Sequence, residues 1–169
     1  KKIVNKVFLS IGSNQGNRLK SLKDAIDEIA SIDSVEHLDS SFVYETKPMY
    51  NLNQSYFLNM VIAIQTVLKP LELLNKTQNI EKKNGRKKTC LKNQPRVIDI
   101  DILDYNGIVL KDEKLILPHP GIIDRLFVLK PWTDINPKHI LPNMEKSIFE
   151  LMSDIKLKTG IIKLYTEKV

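Results

Sequence analysis

The sequence predicts an α+β fold in which an antiparallel sheet carries two helices on one face and leaves its other face open for a site. Three observations lead there. Strand-length apolar runs and two amphipathic stripes follow one another in the order strand, helix, strand, strand, helix, strand. The longest strand-like run, residues 57–68, sorts into an apolar face and a mixed face. The 169 residues are 42% hydrophobic and 27% charged, enough to bury a core, and the lone Cys90 offers no disulfide or zinc cluster in its place.

Val7-Phe8-Leu9-Ser10-Ile11 is a strand ended by the turn-forming run Gly12-Ser13-Asn14-Gln15-Gly16-Asn17. Asn17 is placed to cap a helix, and Leu19, Leu22, Ile26 and Ile29 recur at spacings of three and four as its apolar stripe, which ends near Ala30. Residues 35–44 read as an irregular strand, broken by Glu45-Thr46-Lys47-Pro48, and a polar loop follows to Ser55. In the strand at 57–68, Leu58, Met60, Ile62 and Ile64 form the face that should meet the helices. Phe57, Asn59, Val61, Ala63 and Gln65 form the other.

Pro70 suits the first turn of a second helix and Gly85 its end, with Leu73, Leu74, Thr77 and Ile80 as the stripe between them. Residues 97–103 form the next strand. Asn106-Gly107 is a two-residue hairpin signal, which predicts that Ile108-Val109-Leu110 pair back onto it. A short strand at 115–117, a helix at 147–155 and a last strand at 161–165 complete the reading. The order is the ferredoxin-like βαββαβ arrangement with a C-terminal extension.

Lys plus Arg exceeds Asp plus Glu by 26 to 20, a formal charge of +6, which favours anionic partners. The excess is concentrated: Lys82, Lys83, Arg86, Lys87, Lys88, Lys92 and Arg96 fall within residues 82–96. No apolar run approaches the length of a membrane span, so no membrane partner is expected. The single cysteine and the lack of an apolar leader point to the cytoplasm. Residues 1–169 read as a single domain, expected to be monomeric when isolated; a start at Lys1 without methionine leaves open a trimmed chain or a domain cut from a longer one.

Asp99 and Asp101 are the sharpest chemical feature. Two apart in a strand, they point the same way with α-carbons about 6.6 Å apart, while Ile98, Ile100 and Ile102 turn to the helices. Such a pair can converge on one hard cation or on two, and without a cation its like charges would repel. Arg96 lies three residues earlier, and a basic group beside a metal-binding pair suits a polyphosphate carried with magnesium. Phe57 and Asn59 on the open face offer a ring to stack on and an amide edge, which suits a flat heterocycle. His119, between Pro118 and Pro120, is held in a stiff turn, whereas His37 and His139 read as structural or solvated. Neither a P-loop nor a Gly-x-Gly-x-x-Gly run is present.

These residues also resemble a known family. Pro95-Arg96-Val97-Ile98-Asp99-Ile100-Asp101 is similar to the signature Pro-Arg-x-x-Asp-hydrophobic-Asp of the 6-hydroxymethyl-7,8-dihydropterin pyrophosphokinases of folate biosynthesis. Ile11-Gly12-Ser13-Asn14, Tyr44-Glu45-Thr46 with Pro48, Phe57-Leu58-Asn59, Gln78-Asn79-Ile80-Glu81 with Gly85-Arg86, and Pro118-His119 with Arg125 and Phe127 follow in the family's order. The resemblance runs from about Val7 to Pro142. Asn93-Gln94 departs from the Trp-Gly pair common before Pro-Arg, and Lys88 from an arginine.

The resemblance implies transfer of the β,γ-diphosphate of ATP to the pterin hydroxymethyl group, with AMP as the other product. It implies two Mg2+ held by Asp99 and Asp101, and catalytic roles for Arg86, Lys88, Arg96, Asp99 and Asp101. ATP would meet Gln78, Glu81, Arg86, Arg96, Ile102, Lys114, Ile116, His119 and Arg125. The pterin would meet Thr46, Pro48, Met49, Phe57, Asn59 and Phe127. It also implies fusion to, or neighbourhood with, other folate enzymes.

Two other readings use the same features. An RNA-binding ferredoxin-like module would share the fold and charge, but the aromatic signature strand of such modules is missing, so nucleic acid is not expected. A two-metal nucleotidyl transferase would share the Asp-x-Asp pair and release pyrophosphate instead of AMP. The basic residues 85–95, with only Cys90 and Leu91 to anchor them, are expected to close over ATP when its charge is present.

Overall fold

The computed structural model describes residues 2–48, 53–85, 97–155 and 162–166. Residues 86–95 of the expected closing loop, with Arg86 and Lys88, lie outside the described residues, as do Arg96 and Met49.

Strand β1 (Asn5–Ser13) is followed by helix α1 (Arg18–Ala30), whose first turn is capped by the Asn17 side chain accepting from the Lys20 amide at 3.2 Å. Leu22, Ala25, Ile26 and Ile29 bury the face that the apolar stripe marked. The irregular run after it is two strands, β2 (Val35–Ser40) and β3 (Val43–Thr46), parted at Ser41. Ser41 stays on the ladder all the same: its amide donates to the Val61 carbonyl at 2.9 Å and its hydroxyl accepts from the Val61 amide at 2.8 Å. β4 (Phe57–Thr66) therefore pairs with β3 along its first residues and with β2 along its last.

Helix α2 (Pro70–Lys83) starts on proline and stops at Gly85, whose φ of +98° only glycine adopts freely. β5 (Asp99–Tyr105) returns beside β1. Short strands β6 (Leu110–Lys111) and β7 (Ile116–Leu117) pair with each other. A 3₁₀ turn (Ile122–Asp124), helices α3 (Leu126–Ile135) and α4 (Ile148–Ser153) and strand β8 (Ile162–Thr166) follow.

The main sheet has the order β5-β1-β4-β3-β8, with β2 also on β4, and its pairings are antiparallel. On one face Val7, Leu9, Ile11, Leu58, Met60, Ile62, Ile64, Ile100 and Ile102 pack against α1 and α2, as the alternation of the strands requires. The other face is not left open. Phe8, Val61, Ala63 and Leu103 form a second core with Val128, Leu129 and Trp132 of α3 and Ile148 and Leu151 of α4. Among the described residues, α3 and α4 supply the apolar cover of the middle of this face, and Asp99, Asp101 and Phe57, where β5 and β4 begin, are half-buried.

α3 has no counterpart in the sequence reading. Val128, Leu129, Trp132 and Ile135 form its apolar side against Lys130, Thr133 and Asp134, but it contains Pro131 and has no side-chain cap, so its punctuation reads against a helix. α4 does carry its marker: Ser147 accepts from the Glu150 amide, and Glu150 accepts from the Ser147 amide.

The hairpin expectation is half met. Asn106 (φ +53°) and Gly107 (φ +70°) make the tight turn, but residues 108–110 do not pair back onto β5. The outer edge of β5 is already used. The Ile100 amide donates to the buried Glu81 carboxylate of α2 at 3.0 Å, and the Leu103 carbonyl accepts from the His119 amide at 2.9 Å. Leu110 pairs with Leu117 instead.

The second core is a full load-carrying layer in energetic terms. Trp132 is wholly buried, with its ring 5.0 Å from that of Phe8. Trp132→Ala should cost about 3–5 kcal/mol in urea unfolding; a loss below about 1 kcal/mol would show that α3 is only loosely applied to the sheet.

Candidate active site

The pairing register assembles the site. Gly12 of β1 lies opposite Asp99 of β5 on one side and opposite Asn59 of β4 on the other, and Asn59 lies opposite Tyr44 of β3. One row across four strands thus reads Asp99, Gly12, Asn59, Tyr44. The next row places Asp101 opposite Ser10. Both aspartates are half-buried and share the face of Leu103, away from α1 and α2.

Gly12 is a glycine for a spatial reason. A Cβ there would stand 2.6 Å from Asn59 Oδ1, so the Asn59 amide lies over the bare backbone of β1. Its Nδ2 donates to Thr46 Oγ1 at 2.6 Å, which fixes which end of the amide faces which way. Asn59 and Thr46 are buried, Pro48 is buried beside them in sequence, and Phe57 is half-buried at the start of β4. Phe127, in the first turn of α3, is half-buried against the second core.

Beyond β5, His119 is tied by its backbone to Leu103. The Gly121 amide donates to His119 Nδ1 at 3.0 Å, so the neutral ring carries its proton on Nε2. Burial above all, and then the Arg125 guanidinium, push its pKa down from 6.5 to about 4, against the opposing pull of Asp99. The Arg125 guanidinium lies 5.7 Å from the centre of the Phe127 ring. The strand ends and the start of α3 therefore bring together Asp99, Asp101, His119, Arg125, Phe127, Asn59, Thr46 and Phe57.

Other expected residues sit apart or act through the fold. Ile102 is 2% exposed in the core beneath the helices, so its side chain offers nothing to a ligand; the same alternation that exposes Asp101 buries its neighbour. Glu81 is buried against β5 and holds the strand between the two aspartates through Ile100. Gln78 lies exposed on α2, and Lys114 and Ile116 lie exposed along the β6–β7 turn. Gly12 and Gly121 were missed as site residues, although a glycine at a strand end is a signal of close approach. Asp104 was missed too. A bulge between Phe8 and Leu9 of β1 against 102–104 of β5 turns it to the second face, where it accepts from His139 Nε2 at 2.8 Å.

Two carboxylates on one face, over the small residues Gly12 and Ser10, suit a hard divalent cation. Among the described residues no third His, Cys, Asp or Glu joins them. Such a set leaves coordination positions for water and substrate oxygens, the usual way Mg2+ is held. The residues present fit magnesium.

Residues 8–137 match the family described as 7,8-dihydro-6-hydroxymethylpterin-pyrophosphokinase (HPPK). The chain belongs to this family. Among HPPK relatives, the 2-amino-4-hydroxy-6-hydroxymethyldihydropteridine pyrophosphokinase of Aquifex aeolicus is 39% identical over 152 residues, 90% of this chain and 93% of that protein. The folic acid synthesis protein fol1 of Pneumocystis carinii is 43% identical over 165 residues, 96% of this chain but 22% of that protein. The chain thus spans about a fifth of such longer relatives. The fold is similar to that of Plasmodium falciparum HPPK-DHPS, with a TM-score of 0.72 at 16% identity over 90% of this chain and 46% of that one. Among the described residues no helix is long and apolar enough to cross a membrane.

The depressed pKa of His119 has a sign that stability can report. Above about pH 6.5 the ring is neutral in both states and contributes no pH dependence. Between about 6.5 and 4 the unfolded chain takes a proton that the folded ring refuses, so stability is lost as pH falls through this window. In metal-free buffer, wild type should lose stability more steeply there than His119→Gln. Parallel stability curves would place the imidazole in a more solvated setting than the structure gives it.

Proposed function

We propose that this chain transfers the β,γ-diphosphate of ATP to the hydroxymethyl group of 6-hydroxymethyl-7,8-dihydropterin. The observation that carries the reading is the row Asp99, Gly12, Asn59. It sets a cation-binding carboxylate pair two strand spacings, roughly 10 Å, from a fixed amide beside aromatic rings. That span suits one molecule recognised at its flat ring and reacting at its side arm. The sheet order, with β2 and β3 taken as one interrupted strand, supports reading the core as ferredoxin-like.

In this reading Asn59 offers its carbonyl oxygen to the amino-bearing edge of the pterin, held in that sense by Thr46. Phe57 and Phe127 provide faces for the ring, and Pro48 and Met49 the wall beside it. Asp99 and Asp101 hold two magnesium ions. When bound, these screen the phosphate charge and favour approach of the hydroxyl oxygen. His119 donates from Nε2 to a phosphate oxygen, and Arg125 supplies a fixed positive charge. Arg86, Lys88 and Arg96 supply more from the basic stretch, and Gln78, Lys114 and Ile116 lie toward the nucleoside. The new bond joins the hydroxymethyl oxygen to the β-phosphorus as the hydroxyl proton passes to solvent, the bond from the β-phosphorus to the α,β-bridging oxygen breaks, and AMP leaves with that oxygen.

Three measurements test this. With ATP, Mg2+ and the pterin, the nucleotide product should be AMP; release of pyrophosphate would instead mark a nucleotidyl transferase. Asp99→Ala or Asp101→Ala should keep the fold and lower turnover at least about 10²-fold, and retention of more than a tenth of wild-type turnover at saturating Mg2+ would remove them from the reaction. Asn59→Ala should weaken pterin binding by about 1–3 kcal/mol in calorimetry while ATP binding is unchanged. A parallel loss of both affinities would make Asn59 a support of the sheet.

A further inference from the structure

Gly121 has a backbone that any residue could adopt, with φ of −90° and ψ of 0°. Conformational freedom therefore does not explain a glycine here. Space does. A Cβ at this position would meet Arg125 Nε at 2.6 Å, Cζ at 2.8 Å and Nη2 at 3.1 Å. The guanidinium occupies the volume that a side chain at 121 would fill. The same residue's amide holds His119 Nδ1.

We propose that Gly121 is a positioning residue for the transfer reaction: its bare α-carbon seats the Arg125 guanidinium and its amide fixes the His119 tautomer, so one residue sets both phosphate-facing groups. The proposal rests on the diphosphate-transfer reading and adds a residue to it.

The surrounding backbone makes the seat decisive. The Arg125 amide donates to the Ile122 carbonyl at 3.2 Å, and the Arg125 carbonyl accepts from the amides of Val128 and Leu129, each at 3.0 Å. The main chain of Arg125 is thus locked between the 3₁₀ turn and α3, and only its side chain can yield. The guanidinium rests against the Gly121 α-carbon and over the Phe127 ring. Because Phe127 also faces the pterin, the seat fixes the distance between the ring-binding wall and a phosphate-binding charge. Adding a methyl at 121 pushes the flexible end of an arginine and no backbone, so the fold loses little.

The test is Gly121→Ala in the full chain. Its Tm should lie within about 2 °C of wild type. A guanidinium displaced by less than about 1 Å still attracts ATP but misses the charge that develops on transfer. kcat should therefore fall roughly tenfold or more while the KM for ATP changes less than about threefold. In an Arg125→Ala background the same substitution should have no further effect on kcat, because Gly121 acts through Arg125. Wild-type kcat in Gly121→Ala, or an additive loss in the double variant, would overturn the proposal. A readout independent of turnover is the Arg125 Nε–H signal in 15N relaxation of the free protein, ordered in wild type and loosened in Gly121→Ala. If that signal changes but wild type makes no AMP, the seat stands and the assigned reaction falls. If the signal is the same in both proteins, the seat itself is refuted.

Discussion

β1 is hydrogen-bonded on both sides, to β4 and to β5, so each residue from Val7 to Gly12 fixes a row of three. At Gly12 that row joins a carboxylate to an amide, and at Ser10 it places the second carboxylate beside a small hydroxyl. Because side chains alternate strictly, a slip of one residue in either pairing would send Asp99 and Asp101 into the apolar layer under α1 and α2. The apolar faces of all three strands prevent such a slip. The hydrophobic core thus specifies the site geometry without touching any ligand.

The second layer has a different task. α3 and α4 cover the middle of the other face, and the start of α3 sets Phe127 against that second core with the Arg125 guanidinium over its ring, beside His119. Strand β3 is tied to this layer by Tyr44, whose hydroxyl donates to Asp134 of α3 at 2.7 Å. Burial, reinforced by that carboxylate, raises the Tyr44 pKa, so the tyrosine stays neutral and keeps its donor. The strand that carries Thr46 is therefore braced against the helix that carries Phe127.

Electrostatics in the site are set by the loop between β7 and α3. His119 is kept neutral by burial, with its proton on Nε2 because a backbone donor holds Nδ1, while the Arg125 guanidinium beside it lies over an aromatic ring. A neutral donor and a fixed cation are complementary ways of meeting phosphate oxygens: one supplies direction, the other charge. Glu81 serves the same end from the opposite side of β5, since its buried carboxylate satisfies the edge amide between the two aspartates.

What the sequence determined by itself was local. The common face of Asp99 and Asp101, the helix-facing sets at 58–64 and 98–102, the Asn17 cap and the Gly85 stop all follow from periods and end-signals that span a few residues. The resemblance to HPPK added the candidate ligand contacts, which no period encodes. Tertiary structure alone decided the rest. The bulge that turns Asp104 toward His139 depends on how β5 meets β1. The cover over the second face depends on a helix that carries an internal proline and no side-chain cap. The direction of the Asn59 amide and the seat of Arg125 depend on glycines whose meaning is the atom placed against them. Alternation and capping are properties of neighbours in the chain, whereas bulges, covers and seats are properties of neighbours in space, which the folded chain alone brings together.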